Sequence, residues 1–107
     1  MFLALAGKQR VPESVPQDCD ILRVEVKGRN REGPISGIAQ AIVLPHQAWK
    51  IAAGALDTGV PLSIVAQMLA RAEIRSPGVV CPETSVPPEL FFKQLEHRGI
   101  RVSFSWE

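Results

Sequence analysis

Ile21-Leu22-Arg23-Val24-Glu25-Val26-Lys27, then Gly28-Arg29-Asn30-Arg31-Glu32-Gly33-Pro34, then residues 35–44: this is the stretch that decides the fold. The first run alternates. Leu22, Val24 and Val26 share one face, and Arg23, Glu25 and Lys27 share the other. A period of two with β-branched residues means a strand with one buried face. Glycines at both ends of the middle segment, with an asparagine between them, mark a hairpin-type turn. The return run sets Ile38, Gln40, Ile42 and Leu44 against Ala39, Ala41 and Val43. Both sets are largely apolar, which suits an interior strand or a short helix. The hairpin geometry favours the strand.

Beyond Pro45 the period changes. Residues 46–57 show helical spacing, with Trp49, Ala52, Ala53 and Leu56 on one stripe. Thr58-Gly59 is expected to stop that helix. Pro61 stands where a second one would start, because the first turn leaves its N–H groups unpaired and a proline loses nothing there. Leu62, Val65, Ala66, Leu69 and Ala72 form the expected buried stripe of the second helix, widened by Ile64 and Met68. Ser76-Pro77-Gly78 reads as a turn, and Val79-Val80 as a short extended piece stopped by Pro82. A third helix is expected over residues 87–98, with Glu89 complementing the dipole of its first turn and Gly99 ending it. Ile100, Val102, Phe104 and Trp106 then alternate with Arg101, Ser103, Ser105 and Glu107, a last strand with one apolar face. The order is strand, strand, helix, helix, helix, strand. It predicts an α+β fold: a small, mainly antiparallel sheet, made of the hairpin plus the C-terminal strand, covered by about three helices.

The 107 residues suffice for a single domain, with residues 1–19 as a connector rich in proline and polar residues. Phe2-Leu3-Ala4-Leu5-Ala6 before Gly7 looks like the closing turns of a helix, so the chain is expected to be cut from something longer. With 46% apolar and 21% charged residues it is a globular composition rather than a disordered one. The net charge of +1 gives no electrostatic case for nucleic acid. Lys27, Arg29 and Arg31 are interleaved with Glu25 and Glu32 and read as a solvated turn. The apolar run at residues 2–6 is too short to span a bilayer and lacks the features of a signal peptide. Cys19 and Cys81 form neither a CxxC pair nor a disulfide framework, which fits a reduced, cytoplasmic setting.

The sequence carries little chemistry. No GxGxxG turn, P-loop, HExxH or GxSxG is present. His46 and His97 have no carboxylate or cysteine at ligand spacing. His97 falls in the last turn of a helix, where the dipole favours a cation. Cys81 is expected to be a buried, inert thiol, and Trp49 and Trp106 core anchors. No catalytic, cofactor-binding or metal-ligating residue is assigned. The one weak candidate for substrate binding is Asp57, Thr58 and Gly59, where polar groups meet an expected helix start whose free N–H groups suit an anion such as a carboxylate.

The segment from Leu56-Asp57-Thr58-Gly59-Val60-Pro61 to Gln67-Met68-Leu69 resembles the TTG-x-P-A-x-x-A-x-x-L helix region of saccharopine dehydrogenase-like oxidoreductases. Glu73-Ile74, Pro77-Gly78-Val79-Val80 and Cys81-Pro82-Glu83 are similar to the family's G-E-I and G-V-x-P-P-E stretch. Pro88-Glu89-Leu90-Phe91-Phe92 through Arg98-Gly99-Ile100 is similar to its terminal helix and R-G-I. The likeness covers roughly residues 20–107. It departs at Gly54-Ala55-Leu56-Asp57, where relatives carry an arginine. The resemblance implies the C-terminal, substrate-side part of such an enzyme, in dimer contact with a second copy. NAD(P) would sit on a separate N-terminal Rossmann domain of the same protein, and these residues alone would not complete the reaction. A rival expectation is a small homo-oligomeric interaction module without enzymatic activity.

Overall fold

A computed structural model describes Ser14 and residues 17–107. The hairpin is longer than its sequence suggests. β1 runs Asp20–Asn30 and β2 runs Gly33–Val43, paired antiparallel in unbroken register from Asp20↔Val43 to Asn30↔Gly33. Only Arg31 and Glu32 remain for the turn. Asn30 Oδ1 accepts from the backbone N–H groups of Glu32 (2.8 Å) and Gly33 (3.0 Å), and Gly33 takes φ +138°, which a side chain would resist.

β3, Val102–Trp106, joins the other edge of β2 antiparallel, giving the order β1-β2-β3. Ser36 and Glu107 exchange both backbone hydrogen bonds at 2.9 Å. Even-numbered residues of β2 therefore face β3 and odd-numbered ones face β1. That parity explains Pro34. Its missing N–H points toward β3 but lies beyond the end of that strand, so no ladder bond is lost. The α+β class and the antiparallel sheet agree with the sequence.

The helices do not follow the sequence reading. α1 is a single helix, Ala53–Ala70, that passes through Thr58, Gly59 and Pro61. Residues 47–50 form a turn closed by a bridge between His46 and Ile51. Trp49 is therefore on a turn, not on a helical stripe. α2 is one turn, Pro82–Ser85, and α3 is Pro88–His97, ended by Gly99 at φ +83°. Val79-Val80 belongs to no strand.

Continuity of α1 resets which residues are inside. Ala53, Leu56, Ile64 and Met68 are its buried set, spaced three, eight and four apart, and Leu62 and Leu69 are exposed. Ile64 and Met68 meet Ala41 and Val43 of β2, Leu95 of α3, and Ile74 and Ile100 in one core. That burial on both sides of Pro61 holds the helix together, although an interior proline costs about 3 kcal/mol. The 18-residue α1 is also long and apolar enough to cross a membrane by length and composition. Four of its eighteen residues, Ala53, Leu56, Ile64 and Met68, are buried in the core.

The N-terminus of α1 is capped from a distance. No local side chain caps it, but both carboxylate oxygens of Asp18 accept from the Ala53 N–H, at 3.2 and 3.3 Å. Part of the expected connector thus serves the fold. The expected helix end at residues 2–7 lies outside the described residues.

Candidate functional site

The structure dismantles the helix start expected at Asp57, Thr58 and Gly59. All three sit in the second turn of α1, where the backbone N–H groups are committed to the helix ladder. The Thr58 hydroxyl donates back to the Gly54 carbonyl at 2.9 Å. An anion has no free donors to meet there. The Thr58 hydroxyl also lies 3.4 Å from Asp57 Oδ1, but Asp57 and Gly59 are turned to different surfaces. Gly59 lines one cleft and Asp57 another.

Asp57 instead joins Asp20. The Asp57 side chain, which hydrogen bonds to Asp20, raises the Asp20 pKa above its ordinary value. Partial desolvation and the charges of Asp57 and Asp18 push the same way. These carboxylates gather at the first turns of α1, where the helix dipole favours negative charge. Asp20 approaches Gly54 closely: a Cβ there would stand 3.1 Å from Asp20 Oδ2.

The Gly59 cleft encloses about 800 Å³ between the end of β2, the turn after it, α1 and the end of α3. His46 and Trp49 form one rim, stacked with ring centroids 4.1 Å apart and 23° between planes. The Trp49 backbone N–H donates to His46 Nδ1 at 3.1 Å. His97 and Arg98, from the end of α3, also line the cleft. Arg98 is already engaged, donating to Gln94 and, at 3.0 Å, to Gln67 Oε1. Ile51, Leu56 and Val60 supply apolar walls. The cleft suits a partly apolar group, and it holds no nucleophile paired with a base.

The second surface is the sheet face beneath the helices. Register places Leu22, Val24 and Val26 beside Ala41, Ala39 and Gly37, and these beside Val102, Phe104 and Trp106. The helices reach only one end. Phe91, Phe92 and Leu95 pack over Ala41 and Val102, and Phe92 meets Phe104 edge-on at 5.4 Å. Among the described residues nothing covers the other end: Val24, Val26 and Phe104 are each more than half exposed, and Trp106 is 72% exposed. Leu22, expected inside with Val24 and Val26, is also exposed. Alternation in the sequence identified the face correctly but not what covers it. Of the three helices, the four-residue α2 and ten-residue α3 are short, and the described helices leave part of the two eleven-residue strands uncovered.

Other expectations change with it. Trp49 and Trp106 are exposed rather than core anchors. Cys19 and Cys81 are both free and exposed, so Cys81 is not a buried thiol. Its carbonyl accepts from Thr84 and Ser85 at the start of α2. No cluster of three or more His, Cys, Asp or Glu able to hold a metal occurs among the described residues.

No protein-family model matches the chain, and no solved structure matches it significantly.

Proposed function

We propose that this chain is the substrate-side and assembly domain of a saccharopine dehydrogenase-like oxidoreductase, with hydride transfer carried by a separate nucleotide-binding domain. The observation that supports this reading best is the bare half of the sheet face. Val24, Val26, Phe104 and Trp106 offer an apolar patch of several hundred Å², on the order of what marks interaction sites on soluble proteins. An uncovered sheet of this kind is what a domain presents when another domain is meant to lie against it. The cleft lined by His46, Trp49 and His97 would supply one wall of a substrate site completed by that neighbour.

NAD(P) does not fit these residues. A dinucleotide crevice needs parallel strands joined by a helix, with a glycine-rich turn at the helix start. The described strands are all antiparallel, and the chain has no such turn. The test is a thermal-shift titration of the chain with NADPH. No stabilisation is expected, and a saturable rise in Tm would overturn the reading.

A second reading, a homo-oligomeric interaction module without enzymatic activity, is favoured by one separate feature. The outer edge of β1 has no strand partner among the described residues.

A further inference from the structure

β1 is eleven residues long, and every residue after Asp20 is exposed. The exchange between Ser36 and Glu107 fixes which of its backbone groups have no partner among the described residues. Ser36 faces β3, so Gly37, Ala39 and Ala41 face β1 and bond to Val26, Val24 and Leu22. Arg23, Glu25 and Lys27 consequently direct their N–H and C=O groups outward from the sheet. Unpaired edges of this length are usually blunted by charged side chains, a proline or a bulge. β1 has no proline or bulge in its central stretch, and its charges alternate in sign, Arg23, Glu25, Lys27, so that a second copy can meet them with the opposite sign.

We propose that a second copy of the chain pairs antiparallel along this edge, with Val24 opposite Val24 of the other copy. In that register Arg23 faces Glu25 of the second copy, twice by symmetry, and Leu22 faces Val26, also twice. The neighbouring registers are worse. Centring on Glu25 opposes two carboxylates and sets Arg23 against Lys27. Centring on Val26 sets Arg23 against Arg29, and centring on Arg23 opposes two guanidinium groups. Among these four registers only the Val24 one brings together no like charges, and centring on Leu22, which opposes none either, leaves Arg23 facing Ile21 and Glu25 facing Cys19 with no ion pair formed. A two-fold axis perpendicular to the sheet makes the contact self-complementary and closed. Both copies keep their apolar faces on the same side of a continuous six-stranded sheet. The inference deepens the interaction-module reading by naming the edge and register, and it holds equally for a domain of an oxidoreductase.

Sedimentation equilibrium on the full 107-residue chain tests it. A dimer is expected, and a strict monomer across the concentration range overturns the proposal. Arg23→Glu and Glu25→Arg should each weaken association by roughly tenfold or more, since two attractive pairs become repulsive. Combining the two substitutions should restore it. A dimer indifferent to both reversals, or not recovered by the double variant, would sink the β1 edge while leaving self-association standing. A second measurement does not depend on those variants folding. Val24 forms the non-hydrogen-bonded pair across the proposed axis, where Cα atoms are about 4.5 Å apart and a disulfide fits. In a Cys19→Ser, Cys81→Ser background, Val24→Cys should cross-link on oxidation and Val26→Cys should not. Equal cross-linking of both, or of neither, counts against the register.

Discussion

The benzo ring of Trp106 lies across Gly37. A Cβ built on Gly37 would stand 2.7 Å from Cζ3 and 3.0 Å from Cε3 of that indole. The glycine in the middle of β2 is therefore a seat for the last aromatic of β3, and the two residues are register partners. Gly37→Ala should cost roughly 1 kcal/mol by displacing the ring. In a Trp106→Ala background the same change should be neutral or stabilising by about 0.5 kcal/mol, because alanine suits a strand better than glycine. Urea denaturation of the four variants measures the coupling. Equal effects of Gly37→Ala in both backgrounds would deny the contact.

Pro61 separates a one-helix from a two-helix description. Inside α1 it withholds an N–H from the Asp57 carbonyl. Pro61→Ala should therefore stabilise the protein by about 1–3 kcal/mol. At the start of a separate helix the same change would gain nothing. Equilibrium unfolding decides between these outcomes.

The buried face of α1 gives a matching pair. Met68 is fully buried and Leu69 is 53% exposed. Met68→Ala should cost about 2–5 kcal/mol, and Leu69→Ala less than about 1 kcal/mol. The reverse ranking would mean that the helix is rotated from the position described.

Asp18 caps α1 from thirty-five residues away. Asp18→Ala should lower stability by about 0.5–2 kcal/mol and Asp18→Asn by less, since an amide oxygen still accepts from Ala53. Faster amide exchange confined to the first turn of α1 would locate the loss.

Asp20 carries a pH signature. Its folded pKa is raised above the ordinary 3.8, so the folded state holds its proton more tightly than the unfolded chain does. Stability is then greatest below that value and falls as pH rises through the folded pKa. Asp20→Asn removes the repulsion from Asp57 and Asp18. It should raise Tm at pH 7 and leave it unchanged near pH 3, as thermal melts at the two pH values would show.

Several elements were legible in the residues alone. Strict alternation over residues 21–27 and 100–107 specifies strands, because a period of two places every second side chain on one face wherever the strand ends up. Gly99 was readable as a stop because it alone tolerates the left-handed conformation at low cost. The candidate site was not legible. Thr58, Gly59 and Pro61 carry local signals for a break, and those signals lost to the burial of Leu56 on one side and Ile64 and Met68 on the other. Trp49 and Trp106 look like core residues by type, but their positions, on a turn and over a bare strand end, are set by distant contacts.

By itself, then, the sequence determined the fold class, the hairpin and the identity of the apolar sheet face, all of which follow from periodicity and turn chemistry acting over a few residues. Tertiary structure decided that the helix is continuous, that Asp18 caps it, and that the described helices cover only part of the sheet. Those outcomes depend on how far one element reaches over another, and local spacing carries no measure of reach.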